Sequence, residues 1–162
     1  MPIDRLIPRG RAASLATRLH RTSRRIVFTN GVFDILHRGH VEYLTKARSF
    51  GDLLIVGLNR DSSVRKIKGP SRPYQKERDR AAVLLGLRAV DYVILFSEET
   101  PDLLIRALRP DVLVKGADYR ESEIVGAEFV RSYGGSVRRV RLTPGRSTTS
   151  ILKRMSRAGK KR

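Results

Sequence analysis

Ile26-Val27-Phe28-Thr29-Asn30-Gly31-Val32-Phe33-Asp34-Ile35-Leu36-His37-Arg38-Gly39-His40 is the stretch on which the reading of this chain turns. Ile26, Val27 and Phe28 form a short apolar run rich in β-branched and aromatic residues, which suits the first strand of a sheet covered on both faces. Thr29-Asn30-Gly31 ends it, and a glycine there lets the backbone turn sharply and come close to a ligand. Beyond Gly39, the spacing of Val41, Leu44, Ala47 and Arg48 predicts a helix, so His37 and His40 fall on the loop and first turn at its start. The first N–H groups of a helix lack partners and its dipole is positive there, which favours anions. Two imidazoles at such a place point to phosphate chemistry. The competing reading is half of a metal site. The chain has no Cys and one further histidine, His20, so a metal would need carboxylates at ligand spacing that the sequence does not supply.

Outward from this stretch the pattern repeats. Leu53 to Asn59 is a second, almost wholly apolar strand, which argues for a parallel sheet buried on both faces. Asp91 to Phe96 and Asp111 to Val114 predict the third and fourth strands, and Val137, Val140 and Leu142 a fifth, less buried one. Helices are expected from Arg11 to Leu19, from Arg60 to about Ile67, from about Gln75 to Leu87, from Ser97–Pro101 through Leu108, and from about Ser122 to Tyr133. Residues 1–9 are expected to be loose. The chain therefore divides into a basic N-terminal arm with a short helix (1–23), one folded domain (24–155) and a basic tail (156–162).

Composition sets the outer bounds. At 162 residues the chain is one domain with a core of its own. The absence of Cys, of a long apolar run and of a cleavable leader makes the cytoplasm the expected compartment and a membrane partner unexpected. The net charge of +18 is concentrated at the ends: residues 1–25 and 153–162 contribute +6 each, leaving +6 for residues 26–152. Such ends attract nucleic acid non-specifically by counterion release. A dedicated nucleic-acid-binding protein would interleave aromatic platforms with its basic residues, and only 6% of this chain is aromatic.

Three further segments leave predicted strands or open helices where ligands bind in α/β sheets. Lys66 to Tyr74 is a Gly/Pro-bearing loop in which Lys68 and Arg72 suit phosphate, while Lys66 reads as a solvated connector. Lys115-Gly116 ends the fourth strand, where the lysine either reaches solvent or faces phosphate. Gly145-Arg146-Ser147-Thr148-Thr149-Ser150 runs into a last helix; the hydroxyls satisfy an N-cap, and with Arg146 they also make an anion cradle.

The motif His37-Arg38-Gly39-His40 behind Gly31-Val32-Phe33-Asp34 resembles the H-x-G-H signature of the nucleotidyltransferase superfamily. With Leu113-Val114-Lys115-Gly116-Ala117-Asp118-Tyr119 and Arg146-Ser147-Thr148-Thr149 it is most similar to the domains that adenylylate D-glycero-β-D-manno-heptose 1-phosphate in ADP-heptose synthesis for lipopolysaccharide. The likeness covers residues 24–155 and implies an α/β fold, a Rossmann-like three-layer sandwich on a five-stranded, mainly parallel sheet. It implies transfer of AMP from ATP to the sugar 1-phosphate, with His37, His40, Lys115 and Arg146 as catalytic groups. Nucleotide contacts are implied at Thr29, Asn30, Gly31, Val32, Phe33, Gly39, His40, Gly116, Asp118, Ser147, Thr148 and Thr149, and acceptor contacts at Asp34, Lys68 and Arg72. Mg²⁺ is expected on the nucleotide phosphates rather than on a protein site. Relatives imply a homodimer and a sugar kinase as a separate partner, since this chain is too short to contain one. Val32 and Ala117 depart from the usual Cys or Thr and Gly, and a glycerol-3-phosphate cytidylyltransferase shares every phosphate motif.

Overall fold

Strand β2 (Ile26–Gly31) lies at the centre of the sheet, and its alternation sorts the core into two layers. The structure, a computed structural model, describes residues 3–141, 148, 151, 152, 154 and 155. In β2, Ile26 and Phe28 face the same layer as Leu53 and Ile55 of β3 (Leu53–Asn59), Ile94 and Phe96 of β4 (Tyr92–Phe96) and Leu113 of β5 (Val112–Gly116). Helices α1 (Ala12–Arg21), α5 (Asp102–Leu108) and α6 (Ala127–Ser132) cover that face through residues such as Leu15, Leu19, Leu104, Ile105 and Val130. Val27, Leu54, Val56, Leu58, Val93 and Val114 point the other way, onto α2 (Arg38–Arg48) and α4 (Glu77–Leu85). The result is a helix–sheet–helix sandwich. Truncating one of these buried Leu or Ile side chains to Ala costs about 2–5 kcal/mol.

All strands run parallel in the order β1-β4-β3-β2-β5-β6, with β1 at Leu6–Ile7 and β6 at Ser136–Val140. The chain leaves β2 for β3 on one side and returns to β5 on the other. The crevice where the order reverses, at the carboxyl ends of β2 and β5, is the place where open α/β sheets bind ligands.

The sheet has six strands rather than five because residues 3–9 are ordered. Leu6 and Ile7 pair with Val93 and Ile94 of β4, and Arg5 donates to the carbonyls of Leu85 and Val90 at 2.5 and 3.0 Å. Two apolar residues between arginines carry little pattern; the exposed edge of β4 gives them their structure. The helix expected over 75–87 starts later, because the Gln75 N–H donates to Asp34 at 3.0 Å and Lys76 is extended. The helix expected over 122–133 is split into a single turn at Glu121–Glu123 and α6. Gly126 sits between them at φ +84°, where a Cβ would lie 2.7 Å from Ile105 Cδ1. α3 (Asp61–Lys68) follows β3 as expected.

Candidate active site

The chemistry gathers in a cavity of about 460 Å³ at the switch point. Its floor is the turn after β2. Gly31 passes under the Phe33 ring, where a Cβ would come within 3.0 Å of it. Phe33 itself adopts φ +45°, an uncommon conformation for a residue with a side chain. That turn places the buried Phe33 ring edge-on to His40, with centroids 5.5 Å apart. His37 occupies the extended N-cap position of α2, and its carbonyl accepts the His40 N–H at 2.9 Å. The two imidazoles stack at 3.9 Å with an interplanar angle of 29°.

Burial, and then the neighbouring His37, hold the His40 pKa down at about 4. His40 is therefore neutral at physiological pH and acts as a hydrogen-bonding group rather than as a cation. Its Nδ1 is buried with no hydrogen-bond partner among the described residues. Buried polar atoms are normally paired, so an unpaired one on a residue that lines the cavity is a feature the fold alone does not explain.

Lys115, buried near the end of β5, lines the same cavity and donates to Asn30 Oδ1. Desolvation lowers its pKa to about 8, and the Asp118 carboxylate works against that shift. Its ammonium also lies 5.4 Å from the centre of the Tyr119 ring. Of the expected anion cradle, Thr148 is on the cavity wall, with Oγ1 3.4 Å from the Ile35 carbonyl. Arg146, Ser147 and Thr149 lie outside the described residues.

Asp34, Lys68 and Arg72 line the same cavity. Both Asp34 oxygens already accept hydrogen bonds from the protein: Arg72 at 2.6 Å, the Tyr74 N–H at 2.9 and 3.0 Å, and the Gln75 N–H at 3.0 Å. Asp34 thus shapes the basic loop. The Arg72 guanidinium also lies over the Tyr74 ring, 4.4 Å from its centre. Lys68, at the end of α3, is exposed to the cavity.

Asn30, Gly31, Val32, Phe33 and His40 all line the wall as the sequence suggests. Thr29, Gly39 and Gly116 do not; they are buried, and Thr29 is hydrogen-bonded to the Tyr43 hydroxyl at 2.8 Å. Asp118 is exposed outside the wall and acts on the site through Lys115.

Sequence reasoning missed Arg80, the largest fully buried side chain among the described residues. Its guanidinium donates to the carbonyls of Val32 at 2.6 Å, Asn59 at 2.8 Å and Gln75 at 3.0 Å, and to Asp61 at 2.7 Å. It therefore ties the turn after β2, the end of β3, the start of α3 and the basic loop into one unit. A signal was present: Arg80 shares the buried face of α4 with Ala81, Leu84 and Leu85, where a charge must be paired. The loop after β4, with Glu99 and Thr100 on the wall, was also not foreseen.

The profile of the family described as Cytidylyltransferase-like matches residues 28–154. The chain belongs to the cytidylyltransferase-like family. As a member of that family it is a nucleotidyltransferase. Among curated relatives, the bifunctional protein HldE of Magnetococcus marinus is 52% identical over 153 residues, which is 94% of this chain and 31% of that protein. The bifunctional protein HldE of Campylobacter curvus is 56% identical over 140 residues, 86% of this chain and 29% of that protein. The chain thus spans less than a third of the length of these relatives. A solved lipopolysaccharide core biosynthesis protein from Thermoplasma volcanium superposes with a TM-score of 0.62 at 33% identity, covering 74% of this chain and 97% of that one. A pantoate-β-alanine ligase from Francisella tularensis, 16% identical with a TM-score of 0.61, covers 88% of this chain and 69% of its own and shares the fold. No described helix is long and apolar enough to cross a membrane.

Proposed function

We propose that this nucleotidyltransferase transfers AMP from ATP to D-glycero-β-D-manno-heptose 1-phosphate, giving ADP-heptose and pyrophosphate. The observation that carries this reading is that His40, Lys115 and Thr148, from α2, β5 and the last segment, line one cavity together with Lys68 and Arg72 of the basic loop. A cavity lined by this many phosphate-binding groups suits a triphosphate and a phosphorylated acceptor meeting in it. The similarity to the HldE proteins and to the lipopolysaccharide core biosynthesis protein favours a heptose phosphate as that acceptor.

In this mechanism an acceptor phosphate oxygen attacks the α-phosphorus of ATP in line; a P–O bond forms as the bond to the β-phosphate oxygen breaks. Such transfers need alignment and positive potential more than covalent help. Neutral His40, oriented by Phe33 and His37, donates an N–H to an α-phosphate oxygen. Lys115, held by Asn30, meets the charge growing on pyrophosphate, joined by Thr148 and, from outside the described residues, by Arg146, Ser147 and Thr149. Lys68 and Arg72 grip the acceptor's phosphate, which is ionised at neutral pH and needs no base. Mg²⁺ would arrive on the triphosphate as part of the substrate and neutralise charge there. No group of three or more His, Cys, Asp or Glu side chains that could hold a metal is found among the described residues.

The test is pyrophosphate release with ATP or CTP in the presence of heptose 1-phosphate or glycerol 3-phosphate. Release with ATP and the heptose alone is expected. Release with CTP and glycerol phosphate would keep the mechanism and replace both substrates, and silence in every combination would remove the reading.

A further inference from the structure

The cavity changes chemistry as it passes from β2 toward β4. On that side Asn59, Val64, Ile67, Phe96, Glu99 and Thr100 form the wall. Ile67, Glu99 and Thr100 also line a second hollow of about 360 Å³, completed by Ser63, Lys66 and Ser97. The shared residues put the two hollows side by side, so the wall at Ile67 and Glu99 is a waypoint rather than an end.

A carboxylate is out of place in a site built only for phosphate, because like charges repel it. It is well suited to hydroxyl groups, from which it accepts charge-assisted hydrogen bonds. The adjacent acids in this loop are used differently. Glu98 pairs with Arg9 at 2.8 Å and accepts the Ser97 N–H at 3.0 Å, which anchors the loop. Glu99 has no ion pair among the described residues and is exposed at the junction of the two hollows. Around it stand the hydroxyls of Ser97 and Thr100, while exposed Ile67 and buried Val64 offer apolar cover. A few convergent polar groups against apolar side chains is the usual make-up of a site for a small neutral, hydroxylated group.

We infer that the junction between the end of α3 and the β4–α5 loop binds the exocyclic hydroxylated carbon chain of the acceptor, and that Glu99 reads it. This rests on the sugar-phosphate reading above. In this assignment the phosphate sits at Lys68 and Arg72, and the extra hydroxylated carbon that distinguishes a seven-carbon from a six-carbon sugar meets Ile67 and Glu99, which line the same cavity. Glu99 is thus a specificity residue for the acceptor and has no part in binding ATP.

The experiment uses the full chain with ATP and compares wild type with Glu99→Ala and Glu99→Gln. The Michaelis constant is measured for D-glycero-β-D-manno-heptose 1-phosphate, and the inhibition constant for β-D-mannose 1-phosphate as a competitor. Glu99 is exposed, so both variants should fold; equal melting temperatures check this. In Glu99→Ala the heptose constant should rise about tenfold, the size of one lost charge-assisted hydrogen bond. The mannose constant and the KM for ATP should stay within about twofold, and Glu99→Gln should fall between wild type and Glu99→Ala. An unchanged heptose constant, heptose and mannose constants moving together, or a shifted KM for ATP would each overturn the assignment while the transferase reading stands. Wild-type protein that releases no pyrophosphate with ATP and heptose phosphate would overturn the functional reading, and this site with it.

Discussion

At the amino-terminal edge of the sheet, Asp52, Asp91 and Asp111 each accept a backbone N–H at 2.7 Å, from Arg25, Leu54 and Ile26 respectively. Asp91 also pairs with Arg48 at 2.8 Å. At the carboxyl-terminal edge, His40 keeps a buried nitrogen without a partner among the described residues, and Lys115 is held below its ordinary pKa by burial. Both edges are rich in polar groups. They differ in whether the protein itself satisfies them. Carboxylates that complete strand ends lower the free energy of the fold, while donors left under-satisfied in a concave place are reserved for a ligand.

Arg80 stands across that division, since it is fully satisfied yet lies under the site. Arg80→Met should have the largest effect, a loss of about 3–5 kcal/mol in denaturant unfolding, because Asp61 and three carbonyls lose their donor. Arg80→Lys should recover only part of it, as an ammonium cannot span the fork. His40→Ala should do the reverse, lowering kcat by about 10²–10³ with the melting temperature unchanged. A comparable loss of stability in this variant would break the contrast between the edges. Asp111→Ala should cost about 1–3 kcal/mol of stability and leave kcat of the folded enzyme intact; lost turnover would show that the lower edge also reaches the chemistry. The smallest effect is the pH limb of Lys115. With a pKa of about 8 in the free enzyme, its ammonium discharges as pH rises through that value. The kcat/KM for ATP should then fall by about tenfold per pH unit above it, and Lys115→Met should flatten the limb.

The upper edge was the more legible of the two. His37 and His40 could be placed at a helix start from spacing alone, and Lys115 at a strand end, because period and punctuation fix which residues terminate elements. Asp34, Lys68 and Arg72 were recognisable as neighbours of a phosphate site, but the hydrogen bonds from Arg72, Tyr74 and Gln75 that make Asp34 an organiser of the loop cross about forty residues of chain. Thr29 was legible as a strand end but not as the partner of Tyr43. Arg80 carried a signal in its place beside Ala81, Leu84 and Leu85, but the carbonyls it joins come from segments up to 48 residues away.

The sequence by itself determined the parallel α/β sandwich, the position of the crevice and the His40 imidazole on it, since unbroken apolar runs, a glycine turn and a helix start are local signals; His37 stacks behind His40 and does not line the cavity. Only the tertiary structure decided the order of the strands, the sixth strand at Leu6–Ile7, the burial that keeps His40 neutral, and the Arg80 hub. Each of these depends on partners far along the chain, and a hydrogen bond or a loss of water is a property of what surrounds a residue rather than of the residue itself.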